Sequence, residues 1–427
     1  IGAGRLSFRV RDGSGRFPAA MAAVTLCKLL SCPGVFWWWG WCLFVFVVCG
    51  GCEHIETLHY SLQFLKKFSA NEIIVVTDAA RNEVPVQHDN VIQVDTPTHF
   101  NHHQASIYLK VGLNKFVPAG YNYCYLDTDI IALNSECDDV FNHKVGPITF
   151  APDHCKMPKF SPSAVKCNCL ANNKKDIAEL EALMAQYDPA RKEKDPIMEQ
   201  KKMALIRKFE VMKQDKLAYL WLSIRFLTTI NKFKLDDDTF YDRKKKVWHD
   251  GEGRIIITPA ESMVKDIEKV SQWRWNYMKR KWYGADGRDV YDLECHHLPE
   301  YIKDTFGIEV KDKNFQHWNG GVFLFDDSSA DFLNAWFDKT MHIFTLPQWT
   351  TPDQGTLIAT VWEFGLQDNP TLSKKFNFIA DYNNHRLMMD DEGSFSDDAL
   401  KMKIKPALVH VYHNYGKKGW DIWDHIV

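Results

Sequence analysis

The sequence lacks an excess of charge of either sign. It contains 52 Lys and Arg residues against 55 Asp and Glu residues, a formal net charge of −3 at pH 7. Proteins that bind nucleic acid through overall basicity carry a clear positive excess, so we expect no nucleic-acid partner. Internal repeats are also lacking, so nothing indicates a repeat architecture. With 45% hydrophobic and 25% charged residues, the composition is that of an ordinary globular protein.

The eleven cysteines lack the regular spacing of a disulfide framework. Cys167 and Cys169 form C-x-C, and Cys295 precedes two histidines far downstream. Structural zinc sites typically use paired C-x-x-C, so the spacing does not favour a zinc site here, although the ligand types would suit one. An N-x-[ST] acceptor is lacking as well, because Asn369 is followed by Pro. That absence argues against a secreted glycoprotein.

The longest apolar run is short for a membrane-spanning helix. It covers residues 35–49, whereas a span needs about 20 residues. We favour a buried first strand, LFVFVV, followed by the turn CGG, because the next segments require such a strand. A membrane anchor and a signal-peptide core are the alternatives for the same residues. We expect residues 1–34, which are Gly/Arg/Ser-rich before Met21, to be an N-terminal extension that is disordered or acts in targeting.

Short apolar segments then alternate with amphipathic ones. The strand-like segments EIIVVTD, VIQVD, YCYL and ITFAP are interleaved with the helix-like segments CEHIETLHYSLQFLKKFS and HHQASIYLKVGLNKF. In the first of these helices, Ile55, Leu58, Leu62 and Leu65 recur at helical spacing. The alternation breaks at a charge-rich, mainly helical stretch from 171 to 305 and then resumes. It predicts βαβ units and a mostly parallel sheet.

Acidic residues and one histidine follow several of the predicted strands. Asp78, Asp127, Asp129 and His413 each come just after such a strand. Ligands bind outside the carboxyl ends of parallel strands, so we expect these side chains at one edge of the sheet. Two carboxylates and an imidazole suit Mn²⁺ or Mg²⁺, and the imidazole favours Mn²⁺. The pattern therefore predicts a divalent-metal site that leaves positions open for substrate phosphates.

Five segments together resemble a known family. In chain order these are FVFVVCGG with its following helix and strand, YLDTDIIAL, WNGGVFLF, PDQGTL and HVYHNYGKKGW. They are similar, in this order, to motifs of GT-A fold glycosyltransferases, family 8 and its relatives. The resemblance implies an α/β fold with a Rossmann-like, mostly parallel sheet flanked by helices and interrupted by a mainly helical insertion. It divides the chain into a nucleotide-sugar-binding half (35–170), the insertion (171–305) and an acceptor half (306–427).

The resemblance also implies an activity and its partners. We expect a metal-dependent transfer of a sugar from a nucleotide-diphosphate sugar, a UDP-sugar by preference, to an unknown glycan, protein or lipid acceptor, with retention of configuration. We expect a cytoplasmic location. The anchor and signal-peptide interpretations of residues 35–49 would instead associate the protein with a membrane or place it in a Golgi-type lumen.

Individual roles follow from the matched motifs. The metal ligands would be Asp127, Asp129 and His413; His410 competes, but only His413 keeps the three-residue spacing to a following glycine. The residues expected to contact the donor nucleotide and its phosphates are Gly50, Gly51, Asp78, Lys110, Gly320, Gly321, Gly416 and one of Lys417 and Lys418. The residues expected near the reacting carbon are Asn319, Asp353 and Gln354.

Two other functions remain open from the sequence. A degenerate, non-catalytic sugar-nucleotide-binding module would share the architecture, although the complete Asp127, Asp129 and His413 set argues against it. A sugar nucleotidyltransferase would want a glycine-rich, basic loop after the first strand. The loop here, CGGCEHIE, is short and acidic, which disfavours that activity.

Overall fold

The segment LFVFVV forms a strand, as predicted, within a structure that covers most of the chain. A computed structural model describes residues 8–9, 41–187, 196–257, 260–276, 278–351, 353–382, 384, 386–397, 401–413, 415–416 and 419–426. The chain divides into two compact units, the first made of Ile1–Lys166 with His296–Val427 and the second of Cys167–Cys295. Of the expected N-terminal extension, only Phe8–Arg9 lies within the described residues.

The first unit opens with alternating strands and helices. In chain order these are β1 (Phe8–Arg9), β2 (Cys42–Val48), α1 (Cys52–Phe68), β3 (Glu72–Thr77), β4 (Val91–Gln93), α2 (His102–Val111), α3 (Leu113–Phe116), β5 (Asn122–Leu126), β6 (Ile130–Ala132), a 3₁₀ segment (Ser135–His143), β7 (Ile148–Pro152) and α4 (Met157–Ala164).

The second unit combines helices with two antiparallel sheets. Its elements are α5 (Cys169–Tyr187), α6 (Pro196–Gln214), α7 (Lys216–Thr228), β8 (Lys232–Lys234), β9 (Thr239–Asp242), β10 (Val247–Asp250), β11 (Ile255–Ile257), α8 (Ala260–Val270), β12 (Arg274–Asn276) and β13 (Lys281–Tyr283). The sheets, β11-β10-β9-β8 and β12-β13, were not predicted, because three- and four-residue strands leave little periodicity to detect. Trp273 and Trp282 are buried in this unit's own core.

The elements after the second unit belong to the first unit again. The elements are α9 (His297–Phe306), β14 (Trp318–Phe325), a 3₁₀ turn (Asp327–Ser329), α10 (Ala330–Ile343), α11 (Gln354–Glu363), a second 3₁₀ turn (Lys374–Phe376), β15 (Phe378–Asp381), β16 (Met388–Met389), β17 (Phe395–Asp397), β18 (Met402–Ile404), β19 (Leu408–Tyr412) and α12 (Asp421–Ile426).

A seven-stranded sheet organises the first unit. Its order is β1-β4-β3-β2-β5-β14-β7, with β2 at the centre. The pairings from β1 to β5 are parallel, and only β14 runs against its neighbours. The prediction of an α/β fold with a mostly parallel sheet is therefore confirmed. The carboxyl ends of β2, β3, β5 and β7 meet at one edge, where β14 begins.

The central strand is apolar because both of its faces are covered. Residues 43–48 are all buried, as expected for a parallel strand inside such a sheet. On one face, β2 packs against the apolar stripe of α1 that the sequence predicts; the cluster includes Phe44, Phe46, Val48, Ile55, Leu58, Leu62 and Leu65. Within the described ranges, no helix is both long and apolar enough to cross a membrane.

A small sheet carries the C-terminal strand to the same edge. Its order is β15-β19-β6, with β19 parallel to β15 and antiparallel to β6. β6 follows β5 after only three residues, so this sheet is tied to the end of the central strands. The β6–β19 pairing is the structural link between the Asp127–Asp129 segment and the C-terminal motif.

Candidate functional site

Two carboxylates and an imidazole meet beyond the carboxyl end of β5. Asp127 and Asp129 follow β5, and His410 lies in β19. One ligand atom from each of the three lies within 4.8 Å of the others. His410 Nε2 is 3.2 Å from Asp129 Oδ1. This donor set suits a divalent cation such as Mn²⁺ or Mg²⁺.

Backbone pairing explains why these three side chains converge. The Asp127 amide donates to the Gly321 carbonyl at 2.9 Å, and the Asp129 carbonyl accepts from the Val411 amide at 3.0 Å. The β6–β19 register sets His410 opposite Ile130. The loop is thus fixed between β14 and β19, and the register places His410 beside Asp129.

Charge compensation stabilises the partly buried Asp129 against the buried His410. Burial alone would raise the pKa of Asp129 and lower that of His410, since it opposes the charged form of each. Their mutual attraction and hydrogen bond outweigh burial. The pKa of Asp129 therefore lies below its usual value and that of His410 above it.

Lys110 connects this cluster to the predicted Asp-Gln element. Its Nζ lies 3.2 Å from Asp127 Oδ1 and 3.2 Å from Asp353 Oδ2. Burial alone would lower the pKa of Lys110, but the charges of Asp127 and Asp353 outweigh it and raise that pKa. Asp353 stands at the N-terminus of α11, yet its side chain makes no capping hydrogen bond there. The Asp353 carboxylate is therefore paired with the buried Lys110.

The Asn-Gly-Gly element lies within a hydrogen-bond network. Asn319 Nδ2 donates to Asp153 Oδ2 at 2.9 Å, and its Oδ1 accepts from the Gly321 amide at 2.9 Å. Gln354 Oε1 accepts from the Gly320 amide at 3.2 Å, and its Nε2 donates to the Trp318 carbonyl. These side chains hold the start of β14, where its pairing with β7 shifts register. Such irregularities often adjoin functional sites.

Gly321 has no room for a side chain. A Cβ there would lie 2.7 Å from Asn319 Oδ1, 2.8 Å from His410 Cε1 and 3.1 Å from Asp127 Oδ2. At Gly320, the nearest atoms to a Cβ are the far ends of Lys110 and Gln354, at 3.3 and 3.4 Å. The second glycine therefore allows the strand to approach the acidic cluster closely.

The residues predicted to hold the nucleoside lie on neighbouring strand ends. Val48 of β2 pairs with Thr77 of β3, so Gly50 and Asp78 both come just beyond this pair. Gly50 has a φ of +113°, which favours glycine. Gly51 precedes α1 as its N-cap residue. Their assignment to the nucleoside stays a prediction.

The buried Asp78 carboxylate is already hydrogen-bonded within the protein. Its Oδ2 accepts from the Thr96 amide at 2.9 Å and from the Thr96 hydroxyl at 2.6 Å. The Nε of Arg81 lies 3.4 Å from the same oxygen. In this conformation Asp78 shapes the loops that follow β3 and β4.

The structure does not bring His413 to the acidic pair. Its Nδ1 lies 3.1 Å from Asp381 Oδ1, and its backbone adopts a φ of 63°. His413 follows the last residue of β19, where the left-handed backbone ends the extended conformation and aims its side chain at Asp381. Gly416 is described, with a φ of 74°, whereas Lys417 and Lys418 lie outside the described residues.

Two residues of the site, Tyr125 and Asp153, were not identified from the sequence. The Tyr125 hydroxyl donates to Asp127 Oδ1 at 2.5 Å, and burial, together with Asp127, raises the pKa of Tyr125 so that it remains a donor. Asp153 receives hydrogen bonds from Asn319 and from Cys155. The strand-end rule would have found Asp153, because it directly follows β7. Nothing in the sequence indicates which face of β5 Tyr125 occupies.

Comparison with known proteins shows partial likenesses among solved structures. No protein-family model and no curated protein matches the sequence. The structure of galactosyltransferase LgtC in complex with donor and acceptor sugar analogues aligns with 90% of this chain and 92% of its own, at 10% identity and a TM-score of 0.39. Mouse xyloside xylosyltransferase 1 aligns with 88% of this chain and 98% of its own, at 10% identity and a TM-score of 0.35.

A third similar structure is larger than this protein. The bifunctional glycosyltransferase WbbM aligns with 92% of this chain at 9% identity and a TM-score of 0.38, and this chain spans 50% of WbbM. All three are glycosyltransferases, the class that the sequence motifs resemble. TM-scores below 0.5 describe a partial likeness, so these three structures carry no conclusion about the function of this protein.

Replacing Lys110 by Met should destabilise the first unit. The change leaves the Asp127 and Asp353 carboxylates without their shared cation, which typically costs about 3–5 kcal/mol of unfolding free energy. Urea denaturation of the full chain measures the loss. The exposed Lys66→Met is the matched control and should change stability by less than about 0.5 kcal/mol. Equal stability of the two variants would contradict the ion-pair description.

Replacing Gly321 by Ala should weaken metal binding more than replacing Gly320. The Gly321→Ala methyl displaces Asn319 and His410, and we expect Mn²⁺ affinity to fall about 10- to 100-fold, the range for disturbed ligand support. Gly320→Ala meets only flexible side-chain ends and should change affinity about threefold or less, since those ends can shift. Calorimetric Mn²⁺ titration compares them. Equal affinities would show that the close approach at Gly321 has no bearing on the metal site.

Proposed function

We propose that this protein is a metal-dependent glycosyltransferase that moves a sugar from a nucleotide-diphosphate sugar, most favourably a UDP-sugar, to an acceptor. The observation that carries the proposal is the convergence of Asp127, Asp129 and His410, with Lys110 beside them, at the ligand-binding edge of a mostly parallel sheet. A diphosphate leaving group needs concentrated positive charge, which a divalent cation held by these ligands would supply together with Lys110.

The donor set fits a divalent cation. Carboxylate oxygens suit both Mn²⁺ and Mg²⁺, and the imidazole favours Mn²⁺. Asp127, Asp129 and His410 would hold the ion, and Gly321 keeps the adjacent space clear of a side chain. When bound, the ion would act as a Lewis acid on the diphosphate. His413, chosen from motif spacing, would need a different conformation of the segment after β19 to take His410's place.

Lys110 is suited to hold the donor phosphates. An ammonium group has three hydrogen-bond donors, and Asp127 and Asp353 engage it from two sides. A remaining donor can face a phosphate oxygen without breaking either ion pair. The paired carboxylates also keep Lys110 charged, so it offers a fixed positive charge to the leaving group. Lys417 or Lys418, with Gly416, would add charge from the C-terminal segment, as the motif resemblance implies.

Asn319 and Gln354 are proposed to position the donor sugar. Both side chains are oriented by hydrogen bonds, Asn319 by Asp153 and Gln354 by the β14 backbone. Preoriented amides lower the entropy cost of aligning a reacting sugar. Asp353 fixes Lys110 next to them. Retention of configuration is part of the proposal through the motif resemblance, with Gln354 on the face opposite the leaving group.

The nucleoside would occupy the loops after β2 and β3. Gly50 and Gly51 lack side chains, which permits close approach of a ligand to the backbone. Asp78 would contribute through the two loops that it orders, the Arg81 loop after β3 and the Thr96 loop after β4. The acceptor is left unassigned.

Removing Asp129 should abolish turnover of the donor. Nucleotide sugars are screened with and without Mn²⁺ by thermal shift, and hydrolysis of the best donor is then measured. We expect Asp129→Ala to slow Mn²⁺-dependent hydrolysis at least about 100-fold, because a lost metal contribution of several kcal/mol has that effect. The exposed Asp89→Ala is the control and should retain the wild-type rate. Mn²⁺-dependent donor binding by the wild type without any turnover would instead indicate a non-catalytic binding module.

Variants of His410 and His413 should differ in Mn²⁺ affinity and in donor turnover. We expect His410→Ala to lose Mn²⁺ affinity and donor turnover, because His410 Nε2 lies 3.2 Å from Asp129 Oδ1. We expect His413→Ala to keep Mn²⁺ affinity within about threefold of wild type, because His413 Nδ1 lies 3.1 Å from Asp381 Oδ1. Mn²⁺ titration and hydrolysis assays on both variants measure this. The reverse result would reinstate His413, the ligand that the motif spacing predicts.

A further inference from the structure

We propose that Cys167, Cys169 and Cys295 bind a structural Zn²⁺ ion that clamps together the two ends of the second unit. Cys167 is the first residue of that unit and Cys295 the last. The inference is independent of the proposed glycosyl transfer. It concerns residues outside the donor site, and its readouts do not involve activity.

The three thiols form a close group. Cys167 Sγ and Cys295 Sγ are 3.8 Å apart although 128 positions separate them in sequence. One ligand atom of each cysteine lies within 4.8 Å of the others. Cys169 therefore lies beside both of the other thiols.

The sulfur separation matches tetrahedral zinc rather than a disulfide. A disulfide requires about 2.05 Å between the sulfurs. Two thiolates bound to a tetrahedral zinc at about 2.3 Å lie about 3.8 Å from each other. The Cys167–Cys295 distance is 3.8 Å. Thiolate ligands also favour zinc over the hard cations that suit the Asp127 cluster.

A turn between Cys167 and Cys169 substitutes for the usual C-x-x-C spacing. Asn168 adopts a φ of 61°, a left-handed conformation that asparagine tolerates better than most residues. This turn directly precedes α5, and it allows the side chains of Cys167 and Cys169 to lie close together. The C-x-C spacing disfavoured a zinc site in the sequence alone, because the sequence does not show that the distant Cys295 lies beside Cys167.

Three thiolates leave one position of a tetrahedral zinc open for a further ligand. A metal that joins Cys167 to Cys295 closes a long loop, and such closure lowers the entropy of the unfolded chain. The ion would thus stabilise the second unit as a self-contained insertion.

Cobalt substitution of the full chain tests the proposal. The protein is reduced, stripped of metal with a chelator and titrated with Co²⁺. We expect intense thiolate-to-cobalt charge-transfer absorption in the wild type, displaced by one equivalent of Zn²⁺. The carboxylate–imidazole cluster lacks thiols and does not produce this band, so the signal separates the two sites.

Cysteine variants show which thiols produce the charge-transfer band. We expect Cys169→Ser and Cys295→Ser to lose the charge-transfer band, and Cys155→Ser to keep it. Cys155 is the appropriate control because it lies in another group of potential ligands, with Asp153 and His154. A wild-type protein without the band would overturn the proposal, whatever the folding of the variants. A band lost in Cys155→Ser but kept in Cys295→Ser would also overturn it.

Thiol protection gives an independent measurement. In the zinc-loaded wild type, Cys167, Cys169 and Cys295 should resist alkylation until a chelator is added, and peptide mass spectrometry identifies the protected residues. The chelator should also lower the thermal midpoint of the full chain. Alkylation of all three cysteines at equal rates with and without zinc would contradict the proposal. A Cys167–Cys295 disulfide whose reduced form takes up no zinc would contradict it as well.

Discussion

The compensation of partly buried carboxylates organises the site of the first unit. Asp127 and Asp129 stand at the end of a central strand, where uncompensated charge would be costly. Lys110 pairs with both Asp127 and Asp353, and His410 lies against Asp129. These contacts draw together a helix, two strands and the start of another helix. The arrangement leaves a concentrated group of oxygen and nitrogen ligands at the edge of the sheet where ligands bind.

The backbone makes this arrangement specific. β14 runs against its neighbours and so brings the Asn-Gly-Gly element to the edge where the parallel strands end. Gly321 then accepts from the Asp127 amide, and β19 fixes Asp129 through Val411. A divalent ion and a diphosphate would meet groups that are already in place. The geometry therefore supports glycosyl transfer more directly than passive binding of a sugar nucleotide, because preorganised charge is what a departing diphosphate requires.

The features predicted correctly from the sequence are those that depend on local patterns of apolar residues. Apolar runs and helical spacing indicated the mostly parallel sheet and the strand before Asp127, and the structure confirms both. The choice between His410 and His413 depended on pairing with β6, a three-residue strand too short to recognise, so motif spacing favoured His413. Cys167, Cys169 and Cys295 were identified in the sequence, but their spacing disfavoured a zinc site, because these cysteines come together only through the fold of a whole unit. Long-range pairing, more than local propensity, limited the prediction.

The central claim is that Asp127, Asp129 and His410 hold one divalent ion at a donor diphosphate. Crystals of the full chain grown with Mn²⁺ and UDP, measured for anomalous scattering by manganese, test it most directly. We predict a single strong anomalous peak in contact with all three side chains and with the diphosphate oxygens. A manganese peak that contacts His413 but not His410, or UDP bound without any peak beside Asp127 and Asp129, would contradict the claim.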